Sequence, residues 1–282
     1  FDLAIHLAGI IDIGSGHRKL VERVNVQGTE NVATWCRSHG IKLIYCSSVH
    51  AIPPLPHWQV MAEPAVFDPN KVKGLYSKTK AEATRRILEQ TTAGLDAMVA
   101  MPAGIIGPGE RRLSNIGQLI VDLICRGLVA YIDGKYNFVD VRDVSAGIVR
   151  MINHWDSGQT YVLAGREITV ANLLRTVSEA SGAPMPKVRL PYGFVLATSH
   201  LAELHYLVHR KKPLYTHYSI KTLRTNCRFS SQKAHDAFGY TVRPLEDSLR
   251  EMTSWIMDHY IEQANITYRA VPFRAAVQAT LV

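Results

Sequence analysis

The chain has 282 residues, of which 47% are hydrophobic and 20% charged, a composition typical of a globular protein with one large domain or two coupled ones. The formal net charge of +8 would attract acidic ligands or a membrane surface, but the dispersed basic residues form no nucleic-acid motif, so we expect no nucleic-acid partner. The four cysteines lack paired spacing, which argues against zinc or another metal site and against a disulfide framework, and predicts a cytoplasmic location.

Strands and helices are predicted to alternate through the first part of the chain. The apolar runs predict strands at Leu3–Leu7, Lys42–Cys46 and Asp96–Met101, and helices at Lys19–His39 and Tyr76–Gln90. Such alternation predicts a parallel sheet with helices on both faces.

Two of the predicted strands end in segments suited to a functional site. Ser47 and Ser48 follow the strand that ends at Cys46, and functional residues of parallel α/β sheets lie beyond the carboxyl ends of strands. A serine pair that only caps a turn is the alternative. The strand that ends at Met101 runs into Pro102–Gly109, a small and rigid loop that allows close approach of a flat ligand.

Tyr76 and Lys80 are spaced to share one face of the predicted helix. A nearby ammonium favours the phenolate form of tyrosine, which could then serve as a general base. The same spacing recurs at Tyr131 and Lys135, where an intervening Asp-Gly turn signal makes a shared helical face unexpected. The alternative for Tyr76 and Lys80 is an exposed start of a helix.

The second half of the chain predicts fewer strands. We expect a strand at Thr160–Leu163, and helices at Asn115–Cys125, Asp143–His154, Thr169–Ser181 and Pro244–Tyr260. The apolar stretch Tyr192–Val208 is interrupted by polar residues and favours a core helix over peripheral contact with a membrane.

Together these features resemble the extended short-chain dehydrogenase/reductase family, which includes nucleotide-sugar epimerases, dihydroflavonol reductases and 3β-hydroxysteroid dehydrogenases. The resemblance reaches about residue 260. The segments that carry it are His6–Gly9, Asn25, Ser48, Tyr76, Lys80, Pro102–Ile105 and Phe138–Val144.

The resemblance implies an α/β fold, a Rossmann-like doubly wound parallel sheet followed by a smaller, mostly helical substrate domain. We expect the cofactor domain at residues 1–165, the substrate domain at 166–264, and a tail of unassigned role at 265–282. The family's N-terminal glycine-rich turn is absent, and Gly14–Gly16 is expected to be only a loop before a helix. We therefore expect an N-terminally truncated sheet, part of a longer protein, that binds dinucleotide poorly by itself.

The resemblance also implies roles for individual residues. Tyr76 would exchange the substrate's hydroxyl proton, Ser48 would hold the substrate oxygen, and Lys80 would lower the pKa of Tyr76 and bind the nicotinamide ribose. Asn25 would support a proton relay through water, or be a helix residue satisfied by backbone. The residues expected at NAD or NADP are His6, Leu7, Ala8, Gly9, Cys46, Ser47, Tyr76, Lys80, Pro102, Ala103, Gly104 and Ile105. Those expected at the substrate are Ser48, His50, Tyr76 and Arg142.

The predicted function is NAD(P)-dependent hydride transfer between nicotinamide and a secondary alcohol or ketone, with a small molecule as partner. A nucleotide-sugar epimerase and a non-catalytic dinucleotide sensor are the alternatives. The run Val49–Pro53 lacks the acid pair of dehydratases and the Val-Tyr-Gly continuation of epimerases, which favours the dehydrogenase or reductase. By analogy with the family, a homodimer would form through the helices Lys19–His39 and Tyr76–Gln90.

Overall fold

The computed structural model describes residues 1–11, 18–197 and 217–262. The expected loop Gly14–Gly16, residues 198–208 of the apolar stretch Tyr192–Val208, and the tail 265–282 lie outside these residues. Within the described ranges, no helix is both long and apolar enough to cross a membrane.

The predicted elements are present, with additional short strands. The strands are β1 Leu3–His6, β2 Lys42–Cys46, β3 Ala97–Pro102, β4 Gly104–Ile106, β5 Ala130–Ile132, β6 Lys135–Asp140, β7 Thr160–Leu163, β8 Arg166–Thr169 and β9 Val188–Leu190. The α-helices are α1 Arg18–Glu22, α2 Thr29–Ser38, α3 Leu75–Thr92, α4 Asn115–Arg126, α5 Val141–Asn153, α6 Val170–Ser181, α7 His217–Thr222, α8 Gln232–Phe238 and α9 Leu245–Ile256. A π-helical segment, Arg23–Gly28, joins α1 to α2, and a second one, Met257–Glu262, follows α9.

The main sheet has four parallel strands in the order β1-β2-β3-β7. Ile44 of β2 pairs with Met98 of β3, and both are fully buried. All six residues of β3 are buried, as expected for a strand covered on both faces. The predicted parallel sheet with flanking helices is therefore confirmed. Two smaller sheets have the orders β4-β6-β8 and β5-β9.

The chain divides into two compact units, each built from separate segments. The first comprises Phe1–Ile105, Asn137–Arg166 and Thr225–Val242, and the second Ile106–Tyr136, Glu167–Arg224 and Arg243–Val282. The expected functional domains, 1–165 and 166–264, stay a prediction.

The segment Thr225–Val242 belongs to the first unit because it packs on strand β7 and helix α5. The Ser231 hydroxyl oxygen accepts the backbone N–H of Ala164 at 2.9 Å. Buried Phe238 meets the ring of Tyr161 edge to face, with ring centroids 5.0 Å apart. The Tyr240 ring lies so close to Gly147 that a β-carbon there would come within 3.1 Å of it.

Within the second unit, α6 packs against α9, and α4 contacts both helices. Their buried side chains include Leu123, Leu173, Val177, Leu249 and Met252. Each of these helices has an apolar stripe, and burial of such a stripe is the main source of helix stability in proteins.

Candidate active site

The candidate site lies in the first unit, at the carboxyl end of β2. Beyond Cys46, Ser48 is extended and its hydroxyl oxygen accepts the backbone N–H of His50 at 3.2 Å. The serine thus caps the short 3₁₀ turn Val49–Ala51, as the turn-capping alternative predicts. Because the N–H of His50 occupies only one acceptor position, the Ser48 proton remains able to donate.

Helix α3 places Tyr76 and Lys80 against this strand end. The helix begins after Gly74, whose φ of 91° suits glycine. Tyr76 lies partly buried in the first turn, and Lys80, one turn later, is 5% exposed. The Lys80 ammonium donates to the Cys46 carbonyl oxygen at 2.8 Å. Burial lowers the pKa of Lys80, and the neighbouring Cys46 thiol partly opposes that effect.

The segment after β1 lies beside the same ammonium. A β-carbon placed on Gly9 would lie 3.4 Å from Lys80 Nζ and 3.5 Å from Asn25 Oδ1. Leu7, Ala8 and Gly9 are exposed. His6 hydrogen-bonds through Nε2 to the Thr29 hydroxyl at 3.1 Å, and its pKa is lowered by burial and by the charge of Lys80.

Asn25, which is 1% exposed, lies within the π-helical segment and fixes the backbone of Ile10. Its Oδ1 accepts the Ile10 N–H at 2.7 Å, and its Nδ2 donates to the Ile10 carbonyl at 2.9 Å. Nδ2 also donates to the Thr79 hydroxyl oxygen at 3.1 Å, and that hydroxyl donates to the Tyr76 carbonyl. The Asn25 side chain is therefore bonded to backbone, as in the alternative given above, and its part in a proton relay through water remains a prediction.

His50 lies beside the Tyr76 phenol. The two rings meet edge to face, with centroids 5.9 Å apart and an interplanar angle of 72°. Burial lowers the pKa of His50 to about 4, so its imidazole is neutral at pH 7. Ser48, His50 and Tyr76 are thus brought together, with Lys80 one helical turn away.

The other expected cofactor residues lie at the ends of β2 and β3. The Ser47 hydroxyl pairs with the Thr84 hydroxyl of α3 at 2.6 Å, and the Ser47 N–H donates to the Ala100 carbonyl at 2.8 Å, so its contact with the cofactor stays a prediction. Pro102 and Ala103 are buried, Gly104 is partly buried, and Ile105 is 42% exposed. The predicted loop Pro102–Gly109 therefore begins with strand residues, since Pro102 ends β3 and Gly104–Ile106 forms β4, and its exposed Ile105 is where a flat ligand could approach.

Arg142 is engaged with a neighbouring carboxylate. Its guanidinium donates to both carboxylate oxygens of Asp140, at 2.8 and 2.7 Å, and the Asp140 side chain is fully buried. This pair occupies one edge of the guanidinium, and the contact of Arg142 with substrate stays a prediction.

Two residues of this network, Thr79 and Thr29, were not predicted from the sequence. Thr79 joins Asn25 to the first turn of α3, and Thr29 joins His6 to the Asn25 carbonyl. Thr79 has a weak sequence signal, because it lies between Tyr76 and Ala83 on the helix face expected to point inward.

Comparison with known proteins shows which family this chain is similar to. Residues 1–164 match the model described as the NAD dependent epimerase/dehydratase family. "Sterol demethylase protein B" of Methylococcus capsulatus is 26% identical over 90% of this chain and 78% of its own length. "Putative dihydroflavonol 4-reductase" of Synechocystis is also 26% identical, over 90% of this chain and 76% of its own length.

A solved structure shares the fold. The crystal structure of gox2253 superposes with a TM-score of 0.78 and 26% sequence identity, covering 92% of this chain and 79% of that protein.

Proposed function

The chain belongs to the NAD dependent epimerase/dehydratase family, and we propose that it is an NAD(P)-dependent oxidoreductase acting on a secondary alcohol or the corresponding ketone. The observation that carries this proposal is the buried Lys80 ammonium, held by the Cys46 carbonyl one helical turn from the Tyr76 phenol. A lysine is rarely buried unless it is paired, and buried groups with shifted pKa values are concentrated at functional sites.

The residues around Lys80 fit the nicotinamide-ribose part of a dinucleotide. Gly9 leaves the space beside the ammonium free of a side chain, so a ribose hydroxyl could reach Lys80 Nζ. The end of the Pro102–Ile105 loop would lie against the flat ring. NAD or NADP, when bound, supplies the carbon that accepts or gives up the hydride.

In the proposed reaction, Tyr76 takes the hydroxyl proton of the substrate in the oxidative direction and returns it in reduction. The Lys80 charge favours the phenolate that this step requires. Ser48, fixed by the His50 N–H, donates a hydrogen bond to the substrate oxygen and stabilises the charge that develops there.

We further propose an uncharged, largely apolar substrate. A neutral His50 beside Tyr76 offers no charge to bind an anionic group. The names of the two relatives, which refer to a sterol and to a dihydroflavonol, support a polycyclic alcohol or ketone over a nucleotide sugar. The four free thiols support the proposed cytoplasmic location. Homodimerisation through α2 and α3 is proposed by family analogy and can be tested by sedimentation.

The test uses the complete protein with NAD or NADP and a panel of hydroxysteroids, simple secondary alcohols and UDP-sugars. We expect net cofactor reduction with a polycyclic alcohol, and loss of turnover in Tyr76→Phe. Tyr131→Phe is the matched control, since Tyr131 begins the other Tyr-x-x-x-Lys sequence, on β5 in the second unit.

Isomerisation of a UDP-sugar without net change in cofactor would instead establish the epimerase. Tight cofactor binding with equal, unmeasurable turnover in the wild type and Tyr76→Phe would favour the sensor. A Tyr76→Phe variant as active as Tyr131→Phe would refute the proposed mechanism.

A further inference from the structure

Lys80 has a second tyrosine as a neighbour, one that the proposed mechanism does not use. Tyr45 lies on β2, and the centroid of its ring is 5.0 Å from Lys80 Nζ, which lies over the ring. Tyr45 is fully buried, whereas Tyr76 is partly exposed. Tyr76 is thus placed to meet a substrate, whereas Tyr45 is buried against the lysine and its neighbours on the sheet.

Among the described residues, the Lys80 ammonium has few other groups around it that would stabilise its charge. An ammonium has three N–H donors, and the Cys46 carbonyl takes one of them. In the described part of the chain, the titratable groups beside Lys80 are His6 on β1 and Tyr45 and Cys46 on β2, and Tyr76 lies one helical turn before it on the same helix. His6 is kept uncharged by burial, and burial raises the pKa of the Cys46 thiol, so Cys46 offsets the desolvation of Lys80 only in part.

We infer that Tyr45 is a positioning residue, whose ring face keeps the Lys80 ammonium charged and in place for the proposed reaction. The electron-rich face of an aromatic ring attracts a cation, and the attraction is strongest where water is excluded. This inference rests on the proposed function only for its catalytic consequence, because the contact itself is a property of the first unit.

The ring, and not the hydroxyl, is the part of Tyr45 that acts. The hydroxyl is buried with Thr29 and Ser47 as polar neighbours and meets no partner at hydrogen-bonding geometry in the described part of the chain. Burial strongly raises the pKa of Tyr45, so the phenol stays neutral. His6 stacks on the Tyr45 ring at 5.8 Å between centroids, which fixes the orientation of that ring.

The direct test measures the protonation of Lys80 without turnover. The complete protein is labelled with ¹³C at the lysine ε-carbons, the Lys80 resonance is assigned with Lys80→Met, and its shift is followed against pH. The variants are Tyr45→Phe, which keeps the ring, and Tyr45→Leu, which removes it. Tyr161→Leu is the matched control, because Tyr161 is also a buried tyrosine of the main sheet with a lysine, Lys233, over its ring.

We expect the Lys80 midpoint to fall by about one pH unit in Tyr45→Leu and to stay near the wild-type value in the other two variants. Replacement of Tyr45 by pentafluorophenylalanine keeps the shape of phenylalanine but depletes the ring face of electrons. The pentafluorophenylalanine variant should have a lower Lys80 titration midpoint than Tyr45→Phe. This comparison tests the inference without Tyr45→Leu, should that variant fail to fold. The inference is overturned if neither Tyr45→Leu nor the pentafluorophenylalanine variant changes the titration midpoint of Lys80. It is also overturned if Tyr161→Leu lowers that midpoint as much as Tyr45→Leu does.

The kinetic readout separates this inference from the proposed function. With an active substrate, the alkaline limb of kcat/KM should move to lower pH in Tyr45→Leu, by the same amount as the Lys80 midpoint. If Tyr45→Leu shifts the Lys80 titration midpoint while the wild-type protein turns over no substrate, the role of Tyr45 is sustained and the oxidoreductase is refuted.

Discussion

Asn25→Ala should destabilise the protein because it removes three hydrogen bonds at once. Two of them hold the N–H and C=O of Ile10, at 2.7 and 2.9 Å, and the third reaches the Thr79 hydroxyl at 3.1 Å. A hydrogen bond contributes a net of about 0.5–1.5 kcal/mol, so we expect the free energy of unfolding to fall by about 2–4 kcal/mol. Urea unfolding measures this loss directly.

Gln27→Ala is the matched control for this change. Gln27 lies in the same π-helical segment, but it is exposed and donates only to the exposed Asn31 side chain. Its replacement should change stability by less than about 0.5 kcal/mol. If Asn25→Ala and Gln27→Ala unfold at the same urea concentration, the hydrogen bonds from Asn25 to the Ile10 backbone (the Ile10 clamp) do not stabilise the fold.

The clamp should also matter for the cofactor. Ile10 follows Gly9, which lies beside Lys80, so release of Ile10 loosens the segment proposed to face the nicotinamide ribose. We expect the KM for the dinucleotide to rise more than the KM for the alcohol. Asn25→Asp should not rescue either effect, since its second oxygen would face the Ile10 carbonyl.

Two other perturbations have defined outcomes. A β-carbon at Gly165 would clash with the Phe138 carbonyl oxygen, so Gly165→Ala should lower the free energy of unfolding by about 3 kcal/mol. Gly193→Ala is the control, because a β-carbon there would meet no atom within 4 Å and stability should not fall. Thermal unfolding of the two variants measures the difference. Because the pKa of His50 is about 4 in the folded state against 6.5 for the free group, only the unfolded state binds this proton between those values. Stability should therefore fall by about 3 kcal/mol as pH drops from 6.5 to 4, and an equally steep fall in His50→Gln would refute this origin.

The resemblance to the extended short-chain family is confirmed by the family match, and the main sheet was predictable because its strands are continuous apolar runs. The short strands were missed because they form only with distant partners. In β6, for example, buried Asn137 bonds to the backbones of Gly165 and Cys227, and no local pattern reveals such contacts.

The candidate site was predictable where chemistry follows from spacing along a helix, as for Tyr76 and Lys80. The contacts that hold these residues were not, because they join separate segments. In the sequence, Tyr45 is indistinguishable from the other apolar residues of its strand. Its contact with Lys80 could not be predicted because it depends on how α3 packs on β2. The predicted regular helix Lys19–His39 contains a π-helical segment at Asn25, and such segments often occur at functional sites.

The separate segments of the first unit have a consequence for synthesis on the ribosome. Ala164 cannot bond to Ser231, and Gly147 cannot be covered by Tyr240, until residues 225–242 have been translated. While the intervening segment is made, the nascent chain therefore carries the proposed catalytic side chains on a sheet that residues 225–242 do not yet cover. During that interval the uncovered apolar surface is available to chaperones and proteases, so maturation of the site depends on translation reaching the end of this segment.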